Sequence, residues 1–234
     1  MKNKYLKYKY KDAFYRKSMD EMIVESQSEL ERLEQGVPLH KVLGYIEMTD
    51  VVIDLSKDVL IPRYETEELI LLAKEYITQS SKVLDLCSGS GYIGLAIKKM
   101  TGAKVTASDI SKEAISQIEI NKKKNNLDIE VIESDLFENI SGKFDVIISN
   151  PPYIPQNNTL SESVLKYEPH LALFGGEDGN DLYKRIVAKY KNHLNPGGVI
   201  LFEISEDNVD FLAKQGFKIV KDINGKSRIA IKSQ

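Results

Sequence analysis

The sequence predicts an α/β protein built on a doubly wound, mostly parallel β-sheet. Two observations indicate this fold. From Ser81 onward, short apolar runs alternate with amphipathic segments, as strands alternate with crossover helices. The last two apolar runs are instead joined through Asn224-Gly225, a dipeptide that favours the tight turn between antiparallel strands. We therefore expect an antiparallel strand to close an otherwise parallel sheet.

Composition and charge limit the class of protein. The chain has 234 residues, of which 42% are hydrophobic and 29% charged, as in folded globular proteins. A net charge of −3 gives no overall positive field for nucleic acid. The single cysteine, Cys87, excludes an internal disulfide and a cysteine-rich zinc site, and it favours a reducing compartment. We expect a cytoplasmic monomer.

The sequence also argues against a metal site, a Ser-His-Asp catalytic triad and a membrane-spanning segment. The three histidines, His40, His170 and His193, are scattered, so they suggest neither a metal site nor a Ser-His-Asp triad. The first residues are charged throughout and lack the apolar stretch of a signal peptide. No apolar run is long enough to cross a bilayer. We therefore expect no metal and no membrane partner.

The first 36 residues are expected to form one or two short helices that end at Gly36. Ser18 to Glu21 match a capping box, and Gly36 suits the end of a helix. Between Lys2 and Lys17 stand seven Lys or Arg residues and one acid, interleaved with aromatic residues. This basic-aromatic arm, residues 2–17, is compatible with binding to nucleic acid or to an acidic partner. The alternative is a solvated helix whose tyrosines pack on the body.

A β-hairpin linker is predicted over residues 37–62. Tyr45 to Glu47 and Val51 to Leu55 are apolar-rich runs, and Thr49-Asp50 between them is suited to a turn. Pro62 ends the hairpin because proline cannot donate to a strand ladder.

The rest of the chain, residues 63–234, is expected to form the main domain. Thr66 is placed to cap a helix that extends to about Ile77. Residues 82–87 form a continuous apolar run, as expected of a parallel strand buried on both faces. Further helices are predicted at 91–100, at 112–126 with Ser111 as N-cap, and at 181–193. Further strands are predicted at 103–109, 129–134, 143–149, 197–204, 217–223 and 227–232.

A glycine-rich loop joins the first strand of this sheet to its first helix. Asp85 to Gly94 read DLCSGSGYIG, and Gly89 and Gly91 permit torsions and close ligand approach that other residues do not. Ligands bind such sheets at the carboxyl ends of strands, near a topological switch point. The loop has no lysine, which excludes a P-loop. A plain tight turn is the alternative interpretation.

Three acids at predicted strand ends help to choose between cofactors. Asp85 precedes the loop, where a carboxylate can meet a cation, and Asp135 follows the third strand. Asp109 ends the second strand, near the offset at which nucleotide folds place an acid on the ribose hydroxyls. An acid at a pyrophosphate site would be repelled, whereas an acid near the amino group of a methionine moiety is favourable. The pattern therefore favours S-adenosyl-L-methionine over NAD.

Asn150-Pro151-Pro152-Tyr153 follow the fourth strand, at the same edge of the sheet as the three acids. Two prolines end the strand because they lack the backbone N–H. The Asn150 side-chain oxygen and the Pro151 carbonyl can accept hydrogen bonds from a planar NH2 group and aim its nitrogen at a methyl donor. Tyr153 can stack on a planar substrate. The alternative is an ordinary proline-rich strand exit.

The glycine loop and the Asn-Pro-Pro-Tyr motif together resemble amino methyltransferases. The flanking segments VLIPRYETEEL, YEPHLALFGGEDGNDLYKRI and DINGKSRIA resemble, more narrowly, the HemK-type protein-(glutamine-N5) methyltransferases. The resemblance covers about Gly36 to Ile231. That family methylates the glutamine of the Gly-Gly-Gln motif in peptide-chain release factors and releases S-adenosyl-L-homocysteine.

The resemblance implies a fold and a set of site residues. The fold is a class I S-adenosylmethionine-dependent methyltransferase domain over residues 63–234, seven-stranded with one antiparallel strand, after a short helical substrate-binding region over residues 1–36. The implied catalytic glutamine clamp is Asn150, Pro151, Pro152 and Tyr153. The implied cofactor-binding residues are Asp85, Cys87, Ser88, Gly89, Ser90, Gly91, Asp109 at the ribose, Ile110, Asp135, Leu136 beside the adenine, and Asn150. Arg63, Glu65 and Thr66 match the family signature and are expected to support the site.

The chain departs from the family mainly where protein substrate would dock. Its helical region is short, and His40 and Lys41 stand where the family has a tyrosine. One alternative is therefore a relative that acts on another protein or on a small-molecule amide. A second is a nucleic-acid methyltransferase for N6 of adenine or N2 of guanine, since a flipped base offers the same NH2 group. A third is a non-catalytic binding module.

Overall fold

The computed structural model describes residues 27–234. The predicted capping box at Ser18 and the basic-aromatic arm lie outside the described residues. The helices of the described chain are α1 Gln27–Glu34, α2 Leu39–Leu43, α3 Glu65–Lys74, α4 Tyr92–Thr101, α5 Lys112–Lys124, α6 Glu162–Tyr167, α7 Asp181–Lys189 and α8 Val209–Lys214. The strands are β1 Tyr45–Met48, β2 Val51–Asp54, β3 Lys82–Leu86, β4 Lys104–Asp109, β5 Glu130–Glu133, β6 Phe144–Ser149, β7 Leu194–Glu203, β8 Lys218–Lys221 and β9 Ser227–Ser233.

Strands β3 to β9 form a seven-stranded sheet in the order β5-β4-β3-β6-β7-β9-β8. Strands β3 to β7 pair in parallel, and β9 runs antiparallel to both of its neighbours. The predicted fold, mostly parallel with one antiparallel strand, is confirmed. From β3 the chain first adds β4 and β5 on one side and then β6 and β7 on the other. A topological switch point therefore lies beside β3, where such sheets form ligand crevices.

The antiparallel strand does not stand at the edge of the sheet, which corrects the sequence-based expectation that it closes the sheet. The turn at Asn224-Gly225, with Gly225 at φ 79°, folds β9 back between β8 and β7. Ile229, Ala230 and Ile231 are buried, as expected of an internal strand. Strand β8 is only half-buried at its centre and exposed at both ends, which suits an edge.

Alternate residues of the central strand pack on opposite faces of the sheet. Val83 joins the core formed with α3, α4 and α5, whereas Leu84 and Leu86 join the core formed with α7 and α8. Because both faces of β3 are covered, its carboxyl end is held firmly where the glycine loop begins.

The predicted β1–β2 hairpin is confirmed. Thr49 and Asp50 have φ values of 47° and 59°, the left-handed pair that a two-residue hairpin turn requires. The Asp54 amide donates to Asn121 Oδ1 of α5 at 2.8 Å, so a helix of the main domain holds the hairpin edge.

The helices follow the prediction with two differences. Ser111 caps α5 as expected, because its hydroxyl accepts the Ala114 amide. Thr66 is not an N-cap: α3 begins at Glu65, and Thr66 lies inside the first turn with its hydroxyl turned to another residue. Helices α2, α6 and α8 were not predicted, since segments of five or six residues are too short to show helical periodicity. Within residues 27–234, no helix is both long and apolar enough to cross a membrane.

Candidate active site

A cavity opens at the carboxyl edge of β3, β4 and β6, beside the switch point. Most of the predicted site residues line it: Arg63, Thr66, Cys87, Ser88, Gly89, Ser90, Asp109, Ile110, Asp135, Leu136, Asn150 and Pro152. The other predicted residues do not line its wall: Glu65, Asp85, Gly91, Pro151 and Tyr153. The fold therefore brings together residues from four separate loops and one helix start.

The glycine loop is shaped by backbone torsions that favour glycine. Gly89 and Gly91 have φ values of 55° and 81°, and Cys87 adopts 61° although it carries a side chain. A Cβ atom on Gly91 would lie 3.1 Å from Ile118 Cγ1 of α5, whereas a Cβ atom on Gly89 would meet only open space. Gly91 therefore allows close helix packing, and Gly89 leaves its backbone accessible.

Asp85 holds the loop from beneath. Its carboxylate is fully buried, and its Oδ2 accepts the Gly94 amide at 2.8 Å. Its other oxygen, Oδ1, has no hydrogen-bond partner among the described residues. Burial raises the pKa of Asp85 to about 7, and the Gly94 amide opposes that shift. The structure thus places Asp85 behind the cavity wall, as an anchor of the first turn of α4.

Asp109 joins the glycine loop to the end of β4. Its Oδ2 accepts the Gly89 amide at 2.8 Å, and its Oδ1 accepts the Ser111 amide at 2.9 Å. Each carboxylate oxygen can accept a further hydrogen bond, so Asp109 keeps capacity for ligand hydroxyls at the wall. Burial raises the pKa of Asp109, and the two amides oppose that shift. The next residue, Ile110, lines the cavity and is 49% exposed, so its apolar side chain is accessible to a ligand.

Asp135 is paired with a residue that the sequence did not single out. Arg185 of α7 donates to Asp135 Oδ2 at 2.8 Å, and both side chains line the cavity. Leu136 follows with φ 51° and is buried. The ion pair therefore links the loop after β5 to α7 at the cavity wall.

Asn150 stands directly after β6, half-buried on the cavity wall. Its side chain lies beside Glu203, the last residue of β7, which is 2% exposed, and it opposes the rise that burial causes in the pKa of that carboxyl group. Thr66 donates to Glu203 Oε2 at 2.6 Å. Glu203 is a site residue that the sequence reasoning missed. The signal was available, because Glu203 is a charged residue that ends an otherwise apolar strand.

A glycine segment supports Asn-Pro-Pro-Tyr from behind. The Ile154 amide donates to the Leu173 carbonyl at 3.0 Å, and the Gly175 amide donates back to Ile154 at 2.9 Å. A Cβ atom on Gly175 would collide with the Pro152 carbonyl oxygen, and one on Gly179 would collide with the Tyr153 carbonyl. Only glycine therefore lets these two backbones pack so closely.

The described cavity wall carries no histidine or lysine. Cys87 is the one thiol there, and burial raises its pKa, which keeps it protonated and a poor nucleophile. The wall instead offers side-chain and backbone acceptors, the carboxylates of Asp58, Asp109 and Asp135, two guanidinium groups and apolar surface. Such a set can bind and orient a polar ligand, but it does not suggest a covalent intermediate.

Comparison with known proteins adds the family. Residues 65–167 match the family described as the methyltransferase small domain. A release factor glutamine methyltransferase of Borreliella burgdorferi is 38% identical over 218 residues, and the match covers 88% of this chain and 76% of the relative. One of Lactococcus lactis is 38% identical over 210 residues, 85% of this chain and 78% of the relative.

A solved structure confirms the fold. The ribosomal protein L11 methylase from Lactobacillus delbrueckii subsp. bulgaricus superimposes with a TM-score of 0.55 at 24% identity, over 75% of this chain and 82% of that one. The sequence relatives are more specific, and they agree with the resemblance carried by Asn-Pro-Pro-Tyr and its flanks. The chain belongs to the release factor glutamine methyltransferase family.

Proposed function

We propose that this protein transfers a methyl group from S-adenosylmethionine to the side-chain amide nitrogen of a glutamine in a peptide-chain release factor. One observation carries the proposal. Asn150 lies on the wall of a cavity bounded by the glycine loop, next to the buried Glu203 carboxylate, in a chain of this family. The targeted glutamine is that of the Gly-Gly-Gln motif.

The cavity wall suits the cofactor. The backbone at Gly89 is accessible, the Asp109 carboxylate has capacity for hydroxyl groups, and Ile110 and Leu136 offer apolar surface for a planar base. When bound, S-adenosylmethionine supplies an electrophilic methyl group, and S-adenosylhomocysteine remains after transfer. Asp85 supports cofactor binding indirectly, because its carboxylate accepts the Gly94 amide and so fixes the first turn of α4 beside the glycine loop.

The clamp for the substrate amide is built from acceptors. The Asn150 side-chain oxygen on the wall accepts one N–H group of the glutamine. The family resemblance assigns the other N–H group to the carbonyl of the next residue, Pro151, although Pro151 itself does not line the wall, and the two bonds hold the nitrogen in line with the methyl donor. The carbon–nitrogen bond forms as the sulfur–carbon bond breaks, and the nitrogen then loses a proton to solvent. No general base is needed, in keeping with a described wall that has no histidine or lysine.

The protein substrate approaches from the side of the helical region. Ser163 of α6 donates to the Gly36 carbonyl at 2.8 Å, so the end of that region contacts α6. Soon after α6, Pro169 and Leu171 line the cavity, and Leu171 is 59% exposed. We propose residues 1–36 as the docking region, 37–62 as its hairpin linker and 63–234 as the catalytic domain.

Methyl transfer to defined substrates tests this function. The full chain is incubated with methyl-labelled S-adenosylmethionine and, in separate reactions, a release factor, ribosomal RNA and DNA. We expect label on the release factor, and none when the Gly-Gly-Gln glutamine is replaced by alanine. Label on nucleic acid alone would overturn the proposal. Label on the release factor that survives the glutamine replacement would place the modification at another residue.

A further inference from the structure

We infer that Glu203 is a positioning residue that decides which end of the Asn150 amide faces the cavity. The inference rests on the proposed function, because it concerns how the substrate clamp is oriented. Ser149 of β6 pairs with Phe202 of β7 in parallel register. The next residues, Asn150 and Glu203, therefore leave the sheet side by side at its carboxyl edge, where the Asn150 side chain is close enough to favour the ionised form of the Glu203 carboxylate.

A carboxylate selects one orientation of a neighbouring amide. Ionised Glu203 can only accept hydrogen bonds, so the Asn150 group that faces it must be the NH2 group. The Asn150 oxygen is then left for the cavity, where it can accept from a substrate NH2. The two orientations of an asparagine amide have nearly the same shape, so packing alone does not distinguish them. In the reversed orientation, an Asn150 NH2 group would oppose the substrate NH2 group.

Glu203 is itself held on two sides. The Thr66 hydroxyl donates to its Oε2 at 2.6 Å, and the Tyr183 hydroxyl donates to its backbone carbonyl at 2.6 Å. Thr66 is 3% exposed and Tyr183 is fully buried, so neither contact competes with water. The Thr66 hydroxyl thus fills one position on the carboxylate and leaves the remaining acceptor capacity for Asn150.

The electrostatic surroundings make this orientation sensitive to pH. Burial raises the pKa of Glu203, and Glu65 adds to that shift, while Thr66, Arg228 and Asn150 oppose it. A protonated Glu203 carries an O–H donor that can bind the Asn150 oxygen instead of its NH2 group. Activity therefore falls as the pH is lowered through the pKa of Glu203, at a higher pH than for an ordinary glutamate.

Two substitutions with matched controls test the inference by kinetics. Glu203→Gln has nearly the same shape but can donate as well as accept, and we expect a fall in kcat of about 100-fold with cofactor affinity unchanged. The acid limb of the pH profile should also disappear. Glu206→Gln alters a nearby glutamate, which accepts the Ser227 amide outside the cavity wall, and should leave both readouts unchanged. Thr66→Val should lower kcat, and Thr66→Ser should restore it.

A spectroscopic readout separates this inference from the proposed function. The side-chain amide signals of Asn150 in a ¹⁵N-labelled sample are assigned by their loss in Asn150→Ala. We expect slow hydrogen exchange that becomes fast in Glu203→Gln, whether or not a release factor is the substrate. Unchanged exchange together with an unchanged kcat and acid limb would overturn the role of Glu203. A parallel loss of kcat, cofactor affinity and thermal stability would show a merely structural role.

Discussion

Arg63 and Glu168 stand 105 positions apart in the chain, yet Arg63 Nη2 lies 2.6 Å from Glu168 Oε1. The Glu168 side chain is 1% exposed and that of Arg63 is 36% exposed. The second carboxylate oxygen accepts the Ile61 amide at 3.1 Å. Glu168 thus ties the segment before α3 to the segment after α6. The segments PRYETEEL and YEPHLALFGG, which are far apart in the sequence, therefore meet beside the cavity.

Removal of Glu168 should loosen this wall. Glu168→Ala leaves the buried Ile61 amide without an acceptor, and we expect a loss of about 1–3 kcal/mol in the free energy of unfolding. Cofactor affinity should fall as well, because Arg63 lines the cavity. Urea denaturation and calorimetric titration measure the two effects. Glu177→Ala, at an exposed acid close in sequence, is the control and should change neither. Equal behaviour of the two variants would contradict the role given to the ion pair.

A methyl group at Gly175 should displace the substrate clamp. In Gly175→Ala, the new Cβ atom collides with the Pro152 carbonyl, and the clamp backbone must move. A displacement of about 1 Å can reduce transfer roughly 100-fold. We expect methyl transfer to the release factor to fall by this order while cofactor binding persists.

The control for Gly175 is Gly142→Ala. Gly142 has φ 82° and open space around its Cβ position, so alanine there strains the backbone without touching the clamp. Its stability should drop while its rate of transfer stays near that of the parent protein. If Gly142→Ala lost transfer as fully as Gly175→Ala, a general loss of stability would explain both.

Asp109→Asn should weaken cofactor binding. Asparagine can still accept one backbone amide, but it loses the charge that strengthens hydrogen bonds from ligand hydroxyls. Hydrogen bonds to charged groups contribute about 1.5–3 kcal/mol, so affinity for S-adenosylhomocysteine should fall roughly 10-fold to 100-fold. Calorimetric titration measures it directly. Asp128→Asn, at an exposed position outside the cavity wall, provides the comparison, and a similar affinity in both variants would exclude a cofactor contact at Asp109.

The stability of the protein should depend on the protonation of Asp85. The pKa of Asp85 is about 7 in the folded protein, whereas an ordinary aspartate, as in the unfolded chain, has a pKa of 3.8. Between these two pH values the folded protein therefore binds a proton that the unfolded chain has released. Stability from this group is complete below the ordinary pKa and is lost as the pH rises through about 7. Urea unfolding at pH 5 and pH 8 should therefore show a larger loss in the parent protein than in Asp85→Asn. An identical loss in both would contradict the assignment.

Local sequence signals account for much of the fold. The alternating apolar runs, the Ser111 cap and the turns at Thr49-Asp50 and Asn224-Gly225 each depend on neighbouring residues, and each is confirmed. The position of β9 inside the sheet cannot be predicted in this way, because strand order depends on pairing between strands that are distant in sequence. Short helices such as α6 are also missed, since one and a half turns show no period.

The site is predictable only in part for a related reason. The glycine loop and Asn-Pro-Pro-Tyr are contiguous motifs, so sequence places them at one edge of the sheet. The groups that hold them are distant in sequence. Glu168 meets Arg63 across 105 positions, and Glu203 meets Thr66 across 137. No local pattern tells which acid meets which partner, so the sequence alone predicts a helix cap at Thr66.

The role of Asn150 in holding the substrate amide is tested by comparing methyl transfer and cofactor binding in Asn150→Ala. If Asn150 holds the substrate amide, the rate of methyl transfer to the release factor should fall by about 100-fold or more, as when a preorganised hydrogen-bonding group is removed. The affinity for S-adenosylmethionine should stay close to that of the parent protein. A variant that still transfers methyl groups at the parent rate, or that loses cofactor affinity in proportion to its activity, would contradict the account.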